Sequence, residues 1–158
     1  MKDRARELLE MFYLPEAIYL TDLHFSKQEK LADGRFVVPS AHSYTPKPIP
    51  YVTAEQYMRC LSQLSYVLVG FLIQSQVTDF TFADNETFKR LMIECQMWFR
   101  RSTLRYLKNI PKDTEFQLTL VLKEVSTLSV FAVCTLEVSG VIRGELEFVA
   151  PLNEQQKS

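Results

Sequence analysis

A chain of 158 residues with 47% hydrophobic and 23% charged side chains has the make-up of one ordinary globular domain with a sizeable core. Eighteen basic residues against nineteen acidic ones leave a net charge of −1, which excludes a protein devoted to nucleic acid, since that task needs a strongly basic face. The amino end, MKDRARELLEMF, is charged from its second residue, unlike a secretory signal, and the longest apolar run, Tyr66 to Ile73, is far too short to span a bilayer. The expectation is a soluble, cytoplasmic protein without membrane insertion.

No repeat or linker interrupts the chain, so residues 1–153 read as one domain with a frayed tail at 154–158. Lys2 to Phe12 carries Ala5, Leu8, Leu9 and Phe12 at helical spacing, and Pro15 ends that helix. A strand is expected from Ala17 to about Ser26, a turn around Asp33-Gly34, and a short strand from Arg35 to Val38. Prolines 46, 48 and 50 then stiffen a loop that runs into TAEQ, a capping box opened by Thr53. The helix that follows has a core stripe of Tyr57, Cys60, Leu61, Leu64, Val67, Leu68, Phe71 and Leu72. Met58, Tyr66, Val69 and Ile73 fill its other sides, so protein must wrap it all round.

Beyond a short helical stretch from Asn85 to Ile93 the period drops to two. QMWFRRSTLRYLK reads as a strand, and EFQLTLVLKEV, TLSVFAVCTLEVSG and VIRGELEFV read as three more. They place Phe116, Leu118, Leu120 and Leu122 on one face, and Leu128, Val130, Ala132, Cys134 and Leu136 likewise; Ser139-Gly140 marks a hairpin turn. One long buried helix among antiparallel strands calls for a sheet curled around the helix, an α+β architecture of the hotdog type. The three cysteines, Cys60, Cys95 and Cys134, lack metal-binding spacing and read as buried free thiols, with no metal expected.

Three stretches, YLTDLHFS (19–26), SQLSY (62–66) and GELEFVAPLN (144–153), make the chain resemble the FcoT-like family of long-chain fatty acyl-CoA thioesterases of mycobacterial type. The likeness keeps its order from about Leu8 to Asn153. It implies a hotdog subunit, a homodimer or a trimer of dimers, and hydrolysis of acyl-CoA or acyl-carrier-protein thioesters to free fatty acid in a tunnel at the subunit interface. It also implies a site of tyrosines and asparagines around the entrance of the central helix, with water as nucleophile, no carboxylate nucleophile and no cofactor. By position the family's pre-helix tyrosine falls on Tyr44, and its two helix asparagines fall on Thr53 and Ser62. A further tyrosine falls on Phe12, beside Tyr13. Phe12, Tyr13 and Tyr66 are the candidate substrate-lining residues. Thr53 and Ser62 keep a hydrogen-bonding group but lose the reach of an amide.

The residues themselves support parts of this chemistry. A helix N-terminus offers free N–H groups to an oxyanion, and those just after Thr53 are so placed. Seven basic residues stand against one acid, Glu94, between positions 89 and 112, and Arg100, Arg101 and Arg105 among them are candidates for phosphate or an acidic carrier. Two other readings stay open. The first is a 3-hydroxyacyl-thioester dehydratase-like hotdog, for which His42 stands eight residues before Pro50, although Gln56 replaces the expected acid and Glu55 lies about 100° round the helix. The second is a non-catalytic acyl-binding hotdog.

Overall fold

The computed structural model describes residues 1–41, 45–81 and 83–152. Helix α1 (Lys2–Glu10) buries Ala5, Leu8 and Leu9, and a single 3₁₀ turn at Pro15–Ala17 redirects the chain. Strands β1 (Leu20–Ser26) and β2 (Leu31–Phe36) form a hairpin. Helix α2 (Ala54–Gln74) and helix α3 (Asn85–Ile93) follow. Then come β3 (Trp98–Tyr106), β4 (Phe116–Leu128), β5 (Phe131–Gly140) and β6 (Ile142–Pro151). All six strands join one antiparallel sheet in the order β1-β2-β4-β5-β6-β3.

Helix α2 starts where the capping box requires. The Gln56 amide donates to the Thr53 hydroxyl at 3.4 Å, and the Thr53 amide donates to the Gln56 side-chain oxygen at 3.0 Å. From Cys60 to Ile73 all but Ser62 are buried. The sheet covers one side of the helix, and α1 and α3 cover the other. Gly70 permits the second contact, because a Cβ there would stand 2.8 Å from the Phe88 ring and 3.0 Å from Leu8. Gln63 is buried without loss, since its amide group donates to the Ala17 carbonyl at 2.8 Å and accepts from the Tyr19 amide at 3.0 Å. That pair of bonds ties the approach to β1 onto the middle of α2.

Several expectations need correction. The turn lies at residues 27–30, and Asp33-Gly34 sits inside β2, opposite His24 and Leu23. Gly34 is needed for proximity there, as a Cβ would come within 3.0 Å of Phe36, Leu64 and Leu20 side chains. Helix α1 stops at Glu10, so Phe12 and Tyr13 leave it in a turn, and β1 begins three residues later than Ala17. Leu128 and Val130 are exposed at the β4–β5 hairpin tip, while Ala132, Cys134, Leu136 and Val138 face the core. Cys60 and Cys134 are buried, and burial pushes the Cys134 thiol up to about 12. Cys95, by contrast, is exposed, on a backbone with φ of 55°. No helix among the described residues is long and apolar enough to cross a membrane.

Candidate active site

The turn after α1 carries Phe12 and Tyr13 against the middle of α2. There the Tyr13 hydroxyl donates to the Ser62 hydroxyl at 2.9 Å. Phe12 packs on Tyr13 edge-to-face with ring centroids 4.8 Å apart and lies 5.3 Å from the Tyr66 ring. Tyr66 meets Phe148 at 5.5 Å, and Phe148 meets Phe99 at 5.8 Å. Four of the residues singled out from the sequence, Phe12, Tyr13, Ser62 and Tyr66, therefore form one aromatic-walled cluster with a hydroxyl pair at its centre. Of the two neighbours, Tyr13 reaches Ser62, whereas Phe12 contributes wall.

Burial holds the Tyr13 hydroxyl above the ordinary tyrosine value of 10.0, opposed by its bond to Ser62 and by the nearby charge of Arg59. Tyr66 is driven up further, first by burial and then by Tyr13 and Cys95; its hydroxyl donates to the Met97 carbonyl at 3.4 Å. Both side chains are neutral donors throughout the physiological range. Arg59 is fixed beside them by a 3.0 Å bond to the Tyr19 hydroxyl, its guanidinium 5.4 Å from the Tyr19 ring centroid, and by Glu55 at 3.8 Å. Nothing in the sequence pattern marked this arginine, which stands a single turn before Ser62 on α2.

Thr53 is elsewhere. It lies nine residues before Ser62, which on an α-helix is about 13 Å of rise and roughly half a turn of rotation. Its hydroxyl is committed to the capping box, and the Ala54 and Glu55 amides are the open donors of the helix end. Within one chain the helix N-terminus and the Tyr13–Ser62 pair do not converge. Tyr44 and His42 lie outside the described residues. Arg100 and Arg101 reach Glu147 at 3.1 and 4.0 Å, and Lys89 and Arg90 belong to α3, where they pair with Glu86 and Glu94. The basic stretch of the sequence is thus several separate sites. Among the described residues no group of three or more His, Cys, Asp or Glu side chains is placed to hold a metal ion.

No family model matches the chain, and no curated protein matches it in sequence. Solved structures do match it. An HP0420-homologue from Helicobacter felis superposes with a TM-score of 0.52 at 12% identity, covering 90% of this chain and 88% of that one. The proposed thioesterase YhdA of Lactococcus lactis gives 0.50 at 8% identity over 90% and 99%. An uncharacterised protein from Pyrococcus horikoshii gives 0.50 at 10% identity over 87% and 86%. The chain has the hotdog fold.

In this hotdog the sheet stops abruptly at β3. Every residue of that strand is at least partly exposed, and its outer edge has no neighbour among the described strands. Two landmarks orient it against α2. The Tyr106 ring lies 5.7 Å from Tyr57 in the first turn of the helix, while the Phe99 end approaches Tyr66 through Phe148. The unpaired edge therefore runs alongside both halves of the candidate site. A surface groove of about 670 Å³ bounded by Ile73, Val77, Phe80 and Asn85 lies at the far, C-terminal end of α2, away from this chemistry.

Proposed function

We propose that this hotdog hydrolyses acyl thioesters. The observation that carries the reading is the Tyr13–Ser62 hydroxyl pair, walled by Phe12 and Tyr66 and, among the described residues, without a carboxylate partner. In the reaction a water oxygen attacks the thioester carbonyl carbon and the Ala54 and Glu55 amides hold the oxyanion that forms. The tetrahedral intermediate then collapses with cleavage of the carbon–sulfur bond, and the leaving thiolate takes the proton the water has lost. The Tyr13–Ser62 pair orients the water, Tyr44 in the loop before α2 contributes at the entrance, and the product acid is a fatty acid. The test is release of free thiol from a panel of acyl-CoA substrates. A non-catalytic acyl-binding hotdog would bind these substrates without releasing thiol.

The site is completed by a second chain. Ala54 and Glu55 are exposed in a single subunit, whereas oxyanion donors work best where water is excluded. Pairing the open β3 edges across a two-fold would bring one subunit's helix end to its partner's hydroxyl pair and cover both. Light scattering at micromolar concentration should find a homodimer or a trimer of dimers; a stable monomer would sink the shared site.

The dehydratase alternative is disfavoured by Gln56, whose side-chain oxygen is spent on the Thr53 amide, and by Glu55, which faces Arg59. This difference is measurable as pH dependence. Neither the Tyr13 hydroxyl nor the backbone amides titrate near neutrality, so turnover should be flat from about pH 6 to about pH 9, and His42→Ala should retain it. A bell centred on a histidine value and abolished by His42→Ala would favour acid–base catalysis. Stability should respond at both ends of the pH range, in acid through the hydrogen-bonded carboxylates of Asp84 and Asp113, which are held below the ordinary value, and in alkali through the buried tyrosines. Tyr13 and Tyr66 hold their protons more tightly folded than unfolded, so their contribution is intact below the ordinary value of 10.0 and is lost as pH climbs through and above it.

A further inference from the structure

The register of β3 on β6 sets Arg105 directly opposite Arg143, both exposed on the outward face of the sheet. Like charges so placed disfavour strand pairing, with Cβ atoms only about 5 Å apart. The arginines at the other end of β3 are relieved by Glu147. Among the described residues, Arg105 and Arg143 have no carboxylate within ion-pair distance. Glu145, two residues along on the same face and opposite Thr103, pairs with neither. Two rigid strands thus hold two guanidinium forks side by side with their charge uncompensated, the arrangement that grips phosphate oxygens.

Their position is as informative as their charge. Just past Arg105, Tyr106 packs on Tyr57, and the Val52 amide donates to the Ile110 carbonyl at 2.8 Å, immediately before Thr53 caps α2. Exposed Lys108 lies between these two contacts. Tyr51 and Tyr106 stand at this same end of the sheet, 48% and 45% exposed, with Tyr106 on the face toward α2. The cluster lies at the end of the sheet where the α2 amides open, whereas Arg100 and Arg101 lie at the opposite end.

We propose that Arg105 and Arg143, joined by Lys108, bind the phosphates of coenzyme A. The location of the thioester rests on the hydrolase reading above, but the phosphate subsite does not depend on turnover. Coenzyme A carries three phosphates, and two forks and a lysine match that charge better than the single phosphodiester of a carrier-bound phosphopantetheine.

Isothermal titration of the intact protein with coenzyme A, adenosine 3′,5′-bisphosphate, phosphopantetheine and pantetheine tests this. Coenzyme A and the bisphosphate should bind, with phosphopantetheine weaker and pantetheine weakest. Arg105→Ala and Arg143→Ala should each weaken coenzyme A by about tenfold, the loss of one charge-assisted contact, and flatten its salt dependence. Lys123→Ala, an exposed change on β4, should leave affinity unaltered. Removing one of two facing cations should leave the melting temperature unchanged or raised, which separates lost binding from lost folding. Unchanged affinity in both arginine variants, or phosphopantetheine binding as tightly as coenzyme A, would overturn the assignment. If coenzyme A binds in this way while no acyl-CoA is hydrolysed, the hydrolase reading falls and the subsite stands. Brisk hydrolysis with a KM indifferent to both arginines would do the opposite, removing the subsite and leaving the hydrolase in place.

Discussion

Gly144→Ala should abolish the pairing of β3 with β6 and cost more than about 4 kcal/mol, the range reserved for severe backbone conflicts. Gly144 has a φ of 149°, and an added Cβ would fall 1.9 Å from the Thr103 carbonyl oxygen and 2.9 Å from its carbon. Both obstacles are backbone of the neighbouring strand, which has no soft torsion to yield. Relief would require β3 to move off the sheet, uncovering Phe148 and releasing Phe99 from it. Urea unfolding should report the lost stability, and light scattering should report failed assembly, because β3 is the edge through which the dimer is proposed to form. Gly34→Ala is the informative comparison. Its Cβ would meet only the tips of Phe36, Leu64 and Leu20 side chains at 2.8 to 3.0 Å, which can shift by a few tenths of an ångström. If the two variants proved equally mild, the close approach of β3 to β6 would be disproved.

What was legible in the sequence is what local chemistry decides. Thr53 and Gln56 announce the start of α2 because the capping box is a four-residue device. The alternation from Phe116 to Leu122 announces β4 because one face of that strand meets α2. Gly34 misled, since a glycine after aspartate signals a turn, whereas here its missing side chain admits Leu64 to the sheet. Leu128 and Val130 continue the apolar alternation past the point where the helix covers the sheet, so pattern alone could not tell core from hairpin tip. The clustering of the candidate residues was half legible. Tyr13, Ser62 and Tyr66 belong together, but whether Phe12 or Tyr13 reaches Ser62 depends on α1 ending at Glu10, which no strong stop signal at that residue sets. Arg143 was invisible because it lies 38 positions after Arg105, and only strand register joins them.

Ser62→Ala should lower kcat by about 10²–10³, the effect of removing a positioned hydrogen-bonding group from a preorganised site, with KM little changed. Ser62 accepts the Tyr13 proton at 2.9 Å, so its own proton is left to point away from Tyr13 toward water or carbonyl. Tyr13→Phe keeps the ring packed on Phe12 and Tyr66 and removes only that anchor. It should reduce kcat less than Ser62→Ala, by about tenfold, because the serine remains but rotates freely. The double variant should be no slower than Ser62→Ala alone, since the tyrosine acts through the serine and residues that work as a unit are not additive. A purely structural pair would behave differently. Each change would then cost about 1 kcal/mol of stability, the ordinary worth of one hydrogen bond, and kcat measured on the folded fraction would not move. Turnover that survives both substitutions at the wild-type rate would remove Tyr13 and Ser62 from the chemistry and leave the helix amides to act without them.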